Sequence, residues 1–561
     1  MVLTIPYFLI PVNIRADTIG QRESFFVNNK YDKYGRTNLN AALRYVGDKL
    51  YVYVEDDYWN SLGSVKQDLL SSNILAMGIE FDNNIYPKET AFFGSEPNPG
   101  VDNDSRITIL LENLVINNGG YFDSANAYTR DKIDNSNQRE MIVVSIDTVL
   151  AGTDFTKVFL AHEFQHLISF NQKELIGKIS EDVWLNELRS EYTASLLGYD
   201  APYTDSSLKR RMDYFLQQPS DSLVEWPNTN ADYAVVNVFG QYLTEQFGQG
   251  ILKDTMKSGL TGISSINKYL IDLGYSGRFE DIFGYWMGAL YLNDYIFDKH
   301  LGFYNPNFTN IKVQPQQRIY ISGNQPQFSS IQNIKPWQPV WLEYDLGGIS
   351  GNSTKSLKIS LDSETGKIFR AFYMVFYNDN TVNIGKASLI DGKGDVVALN
   401  SAKGLRKIVL MLTEGTKISR FDTDELSSYI NINATVAETE TVKAQMLKDG
   451  MLIKRPREKE IYVIWGKYKR YLSSGVISLY GHLNPAEAVE VEPDVFDSYQ
   501  SSNYVKYLND EKVYAVWPDG TKHWLNITPR QWDDSYRDWN AIFTINDMEL
   551  NYYRIGENII R

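Results

Sequence analysis

Over the first 150 residues the apolar positions fall in short runs suited to pleated strands; beyond that they recur at helical spacing. The clearest strand is Leu50-Tyr51-Val52-Tyr53-Val54, whose aromatic and β-branched side chains fit a partly buried pleated surface. A loop-rich stretch from Asp82 to Ser105, with Pro87, Pro97, Pro99 and Gly100, ends in the strand Ile107-Thr108-Ile109-Leu110-Leu111. A further strand, Met141 to Ile146, leads through Gly152-Thr153-Asp154 into a helical pattern from Phe155 to about Phe170, which Thr153 or Asp154 can cap. Helical patterns follow from Ser180 to about Leu197, from about Ala231 to Phe247, and from Phe279 to Tyr295. A strand-rich layer followed by helices predicts an α+β domain over residues 17–302.

After Gly302 the texture changes. Val340–Leu346, Leu357–Leu361, Phe369–Tyr377, Ile408–Leu412 and Tyr429–Ala434 are short, β-prone and separated by Gly, Asn, Asp and Ser, which predicts a β-sandwich over residues 303–440. Residues 445–561 hold an internal repeat. Ile461-Tyr462-Val463-Ile464-Trp465 and Lys469-Arg470-Tyr471-Leu472 are answered 52 to 53 residues later by Val513-Tyr514-Ala515-Val516-Trp517 and Lys522-His523-Trp524-Leu525. Two copies, at about 450–503 and 504–561, are expected to pack together into an α+β repeat module. The fold class is therefore multidomain.

Composition narrows the partners. With 55 basic and 70 acidic residues the net charge is −15, which argues against a broad nucleic-acid footprint. No uninterrupted apolar run reaches about 18 residues, so no membrane-spanning helix is expected. Residues 2–12 form an apolar run followed by Ile14-Arg15-Ala16, which reads as the remnant of a secretion signal over residues 1–16, with a buried strand as the alternative. The absence of cysteine excludes disulfides, thiolate-bound metal and a thiol nucleophile. Together with 38 Tyr and 11 Trp, it suits an exported protein, extracellular or at the cell surface. Any metal must then be held by carboxylates and by the five histidines: His162, His166, His300, His482 and His523.

Two of these stand four apart in Leu160-Ala161-His162-Glu163-Phe164-Gln165-His166-Leu167-Ile168. On a helix, positions i and i+4 share a face, so both imidazoles can reach one ion with Glu163 beside it. A third protein ligand leaves one position for water, as catalytic zinc sites require. Glu187, in Asn186-Glu187-Leu188-Arg189-Ser190-Glu191 on the next predicted helix, is the candidate. Glu191 lies one turn further on the same face and can accept a hydrogen bond from a ligating histidine.

The pattern HEFQH followed by NELRSE resembles the gluzincin metallopeptidases. With Gly100 to Thr108, Gly120-Tyr121-Phe122, Ser136 to Met141 and Trp184 to Glu187, it is similar to the hyicolysin family of secreted bacterial neutral zinc peptidases over residues of about 80–250. The resemblance implies zinc (Zn2+) on His162, His166 and Glu187, Glu163 as general base, and Glu191 and Asn186 supporting the ligands. Such enzymes oppose the metal with an oxyanion donor from the helical lobe; Tyr233 is the expected residue, with Tyr242, Tyr192 and His300 as rivals. Asp102-Asn103-Asp104 offers oxygen atoms of the kind calcium (Ca2+) takes, but without the spacing of a full loop, and reads first as a solvated turn. Asn126-Ala127-Tyr128 resembles the edge strand along which thermolysin-like enzymes lay an extended peptide. Tyr462, Trp465, Trp517 and Trp524 are read first as packing aromatics, with cell-wall or surface glycan as the alternative partner of the repeat module. The expectation is a secreted or surface zinc endopeptidase acting on protein or peptide. Its alternatives are a catalytically idle surface or adhesion protein and a zinc aminopeptidase.

Overall fold

The structure, a computed structural model, describes residues 16–560 apart from 117, 153, 323–326, 349–353, 401–403, 439–446, 456–457, 492, 509 and 536. The apolar run read as a secretion signal, and Thr153, lie outside the described residues.

The first sheet contains β1 (Arg22–Phe26), β2 (Asn38–Val46), β3 (Leu50–Glu55), β4 (Ile107–Glu112), β5 (Gly120–Phe122) and β6 (Met141–Ser145) in the order β1-β2-β3-β4-β6-β5. Strands β3, β4 and β6 run parallel, while β5 pairs antiparallel to β6 and forms one edge. Strand β3 is buried on both sides: Leu50, Val52 and Val54 face the helices, and Tyr51 and Tyr53 face a smaller core with Phe25 and Leu43. This explains its unbroken run of large side chains.

The helices are α1 (Asp56–Ser61), α2 (Ser64–Glu80), α3 (Tyr86–Phe93), α4 (Ile146–Ala151), α5 (Phe155–Ser169), α6 (Val183–Leu197), α7 (Ser207–Gln217), α8 (Asn230–Phe247), α9 (Gly250–Lys257), α10 (Gly262–Asp272) and α11 (Phe279–Leu292). Helix α5 packs on β5 and β6 through Leu160, Ala161, Phe164, Leu167 and Ile168, all fully buried. The leucine, isoleucine and phenylalanine side chains among them contribute about 1.5–3 kcal/mol each when withdrawn from water. Asp154 does not cap this helix with its side chain: its backbone is already helical, and its carboxylate pairs instead with Lys157 at 3.0 Å.

Residues 317–438 form two sheets. One, ordered β13-β10-β15-β8, uses β8 (Gln327–Ile334), β10 (Lys355–Ser363), β13 (Lys393–Ala398) and β15 (Ser428–Glu438). The other, ordered β12-β11-β14-β9-β7, uses β7 (Gln317–Ser322), β9 (Val340–Gly348), β11 (Phe369–Tyr377), β12 (Val382–Ala387) and β14 (Leu405–Glu414). Leu342, Ile359, Leu410 and Ile432 share the core between them. The outer face of the second sheet is equally apolar. Its Trp341, Phe372, Met374, Val409 and Met411 belong to the same continuous core as the helices of the first half. Close approach is possible because α11 carries glycine at 284 and 288: a Cβ there would stand 2.3 Å from the Phe372 ring and 2.8 Å from Met374 Cε. Trp341 Nε1 donates to Met287 O (3.0 Å), and Leu223 N to Trp337 O (3.2 Å).

The terminal residues form two five-stranded sheets of matching order. The first is β19-β16-β17-β18-β20, from β16 (Leu452–Lys454), β17 (Ile461–Trp465), β18 (Tyr468–Leu472), β19 (Val489–Glu490) and β20 (Gln500–Ser501). The second is β24-β21-β22-β23-β25, from β21 (Tyr504–Tyr507), β22 (Val513–Val516), β23 (Thr521–Trp524), β24 (Ile542–Ile545) and β25 (Arg554–Ile555). Arg470 of the first copy reaches the buried Glu549 of the second at 2.6 Å and joins them. Trp465 and Trp517 are about half exposed, and Trp517 stacks on His523. Among the described residues no helix is long and apolar enough to cross a membrane.

Candidate metal centre

Helix α5 carries His162 and His166 on one face, and α6 lies against it. The result is a tight group. His162 Nε2 and His166 Nε2 are 3.2 Å apart, and Glu187 Oε2 stands 3.2 Å from the first and 3.5 Å from the second. Two imidazole nitrogens and a carboxylate oxygen converge with all ligand atoms within 4.8 Å, a donor set suited to zinc. Glu187 Oε2 is buried and has no hydrogen-bond donor, as expected of an oxygen placed for a cation. Burial works against its charge, yet the two histidines hold the Glu187 carboxyl well below its ordinary range.

Glu163 follows His162 and turns toward β5. A Cβ on Gly120 would lie 3.3 Å from Glu163 Cγ, so the sheet edge passes close to this side chain. Burial pushes the Glu163 carboxyl up to about 7, opposed by His166 and helped by Glu187. The edge beside the histidines is Gly120–Phe122 and not Asn126-Ala127-Tyr128. Ser124–Ala127 wind into a 3-10 turn capped by Asp123, and the buried Asn126 Oδ1 accepts from Asn137 Nδ2 at 2.7 Å. The 3-10 turn replaces an extended strand over Ser124–Ala127, and Tyr128 alone of the three residues has extended backbone.

The outer nitrogens of the two imidazoles meet different partners. His162 Nδ1 faces Glu191 Oε1 at 3.6 Å. Glu191 in turn accepts from Arg211 Nε (2.8 Å) and Nη2 (2.6 Å) and from Asn237 Nδ2 (3.2 Å). Burial opposes that carboxylate and Arg211 prevails, so its pKa is lowered. His166 Nδ1 instead meets Ser190 Oγ at 3.2 Å. Asn186 presents its backbone carbonyl to Ser190 Oγ (3.3 Å), while its own Oδ1 is buried with no hydrogen-bond partner.

Tyr233 sits in the first turn of α8, held there by a capping box in which Thr229 N donates to Asp232 Oδ2 (2.5 Å). Its ring centroid is 6.2 Å from that of His162, with the Arg211 guanidinium 4.8 Å from its centre and Trp226 against its edge. Its hydroxyl donates to Asn228 Oδ1 (2.9 Å), and burial, reinforced by Glu187 and Glu163, raises its pKa. The rivals lie elsewhere. Tyr242 donates to His300 O (2.7 Å), Tyr192 OH accepts from Gln249, and His300 pairs with Asp298 and packs on Tyr285. Asp102 and Asp104 spend carboxylate oxygens on the amides of Asp104 and Arg106 and on Tyr51 OH; no group of three metal-ligating residues gathers there among the described residues. Arg211, Ser190, Gln165 and Asn237 were not foreseen. Gln165 and Ser190 share a helix with the candidate ligands, a weak signal that many surface residues also have, whereas Arg211 and Asn237 come from α7 and α8 and carry no signal in the sequence.

No protein-family model matches the chain. It is 31% identical over 269 residues to the neutral metalloprotease ShpI of Staphylococcus hyicus, an alignment covering 42% of this chain and 56% of the relative. The chain thus matches just over half the length of this curated relative. That relative is a neutral metalloprotease by name, in agreement with the neutral-metallopeptidase resemblance read from the motifs. Solved structures similar to part of the chain include the pre-peptidase C-terminal domain of a Bacillus anthracis collagenase, at TM-score 0.15 and 10% identity over 22% of this chain and 98% of that one. A second is the periplasmic lysozyme inhibitor PliG of Aeromonas hydrophila, at TM-score 0.15 and 11% identity over 22% and 96%.

Proposed function

We propose that the protein is a secreted or cell-surface zinc endopeptidase of the gluzincin type, with His162, His166 and Glu187 as metal ligands. The observation that carries this reading is the convergence of three ligand atoms around a buried oxygen without a donor, with Glu163 on the same helix. Zinc, when bound, supplies Lewis acidity to a water and to the scissile carbonyl. Glu163 takes the proton of the attacking water on its carboxylate and returns it to the leaving amine. Burial that lifts its pKa to about 7 suits a group that must both accept and release a proton near neutrality. The Tyr233 hydroxyl, in exchange for its bond to Asn228, donates to the oxyanion that develops on the substrate. Glu191, backed by Arg211, holds the His162 ring in place. An extended peptide adds to the free edge of β5, which orients its backbone above Glu163.

The intact Glu163 disfavours an idle scaffold, and the chain lacks the Gly-Ala-Met-Glu-Asn motif with which aminopeptidases capture a substrate amine. The terminal module belongs to the same reading as an attachment or spacing device, with Trp465 and Trp517 as the exposed aromatics offered to surface glycan. The test is zinc content and casein cleavage of the wild type and Glu163→Gln. Cleavage by the wild type, lost in a variant that retains zinc, is expected; wild-type protein that binds zinc and cleaves no peptide rejects the reading. Glu187→Ala should lose most of its zinc, and unchanged occupancy rejects that ligand.

A further inference from the structure

Of the two imidazoles, His166 has the less ordinary support. Its Nδ1 is 3.2 Å from Ser190 Oγ, and the same oxygen is hydrogen-bonded to Gln165 Oε1, on the residue just before His166. Ser190 and Gln165 are both fully buried, and Asn186 O lies 3.3 Å from the same hydroxyl. Water therefore does not compete for these contacts, and the donors and acceptors can be followed one by one. A hydroxyl has one proton to give. Gln165 Oε1 and Asn186 O are carbonyl oxygens that only accept, so the Ser190 proton goes to one of them. With the Gln165 amide in the orientation of the structure, Ser190 Oγ is left as an acceptor toward the imidazole, and His166 Nδ1 carries the hydrogen. The lone pair of neutral His166 then resides on Nε2, the atom turned toward His162 and Glu187.

We infer that Ser190, with Gln165 behind it, is a positioning residue that fixes the tautomer and ring orientation of His166 and so prepares Nε2 to bind a metal. This inference rests on the proposed zinc site and deepens it. The two rings are thereby buttressed unequally. His162 faces a carboxylate held by Arg211, whereas His166 faces a neutral hydroxyl held by an amide. The sequence places both parts locally: Gln165 is within the histidine motif, and Ser190 is three residues after Glu187, on the same side of α6.

The experiment measures zinc affinity by competition with a chromophoric chelator for the wild type, Ser190→Ala and Gln165→Leu. It is joined by nitrogen-15 spectra of the histidine rings in metal-free protein. Loss of a partner to a ligating histidine typically costs ten- to a hundredfold in metal affinity. Ser190→Ala is expected to fall in that range and Gln165→Leu to lose less. Metal-free wild type should show His166 protonated on Nδ1, a preference weakened in Ser190→Ala. A wild-type His166 protonated on Nε2, or zinc affinities within threefold of wild type in both variants, overturns the inference. Should Ser190→Ala fail to fold, Gln165→Leu and the wild-type spectrum decide. Because none of these readouts uses proteolysis, wild-type protein that binds zinc tightly but cleaves nothing rejects the peptidase reading and leaves this one intact.

Discussion

Arg211 is the residue on which two supports of the centre meet, and Arg211→Met probes it directly. The substitution keeps an apolar stem of similar length and removes the guanidinium that donates at 2.8 and 2.6 Å to Glu191. Both partners are 8% exposed, so Glu191 would remain as a buried carboxylate with only Asn237 Nδ2 at 3.2 Å and His162 Nδ1 at 3.6 Å. Breaking a buried ion pair from one side costs about 3–5 kcal/mol, whereas neutralising both partners is often close to neutral. The cation beneath the Tyr233 ring adds about 0.5–2 kcal/mol. Arg211→Met should therefore lose about 4 kcal/mol, and the double variant Arg211→Met/Glu191→Gln should regain at least about 2 kcal/mol of it. Urea titration of metal-free protein measures this: with a slope of about 3 kcal/mol per molar urea, the single variant shifts its midpoint by about 1.3 M. A loss under about 1 kcal/mol, or a double variant whose loss equals the sum of its parts, refutes the idea that Arg211 neutralises Glu191.

Three further predictions follow the same logic. Tyr233→Phe should lower kcat on a peptide substrate by about 10²–10³ with little change in zinc affinity, since an oxyanion donor acts only in the transition state; unchanged kcat assigns the hydroxyl to packing alone. Trp337→Ala removes a ring that packs on Phe279 and Phe283 and whose Nε1 donates to Lys417 O at 2.7 Å. It should cost about 3–5 kcal/mol in calorimetry and loosen the sandwich and the helices together; a loss confined to the sandwich would contradict their shared core. Glu112 is raised by burial, with Asp32 and Glu55 adding to it, from 4.5 to about 8. A buried acid raised in this way contributes fully below about 4.5 and loses that contribution as pH climbs through about 8. Glu112→Gln should come within about 1 kcal/mol of the wild type at pH 5 and exceed it at pH 9 by up to about 5 kcal/mol, at 1.36 kcal/mol per pH unit; an equal difference at both pH values rejects the assignment.

The parts of the centre legible in the sequence are those set by local geometry. His162 and His166 are one helical turn apart, so periodicity alone pairs them, and Glu187 follows after a spacer long enough for the chain to turn back and lay α6 against α5. Arg211 was invisible because it arrives from α7, a helix whose pattern of charged and apolar residues is that of any surface helix. Strand β5, three residues long, is too short to establish a period. The duplicated segments were plain from their 52 to 53 residue offset, but the Arg470–Glu549 contact that couples them joins positions that are not equivalent in the two copies. The apolar outer face of β11 and β14 was hidden for another reason. Strands buried on both faces lose the alternation that reveals which neighbour they serve.

That doubly buried sheet sets an order of events in biosynthesis. Helix α11 ends at Leu292, yet Val409 and Met411, which complete the core around it, are encoded about 120 residues later. At a translation rate of about 5–20 residues per second, α11 waits roughly 6–24 s for its cover. Early in that interval Phe283 lacks its Trp337 neighbour, and for most of it Gly284 and Gly288 lack the Phe372 and Met374 side chains that fill their notches. The helical half therefore reaches its final packing only after the sandwich strands have been made.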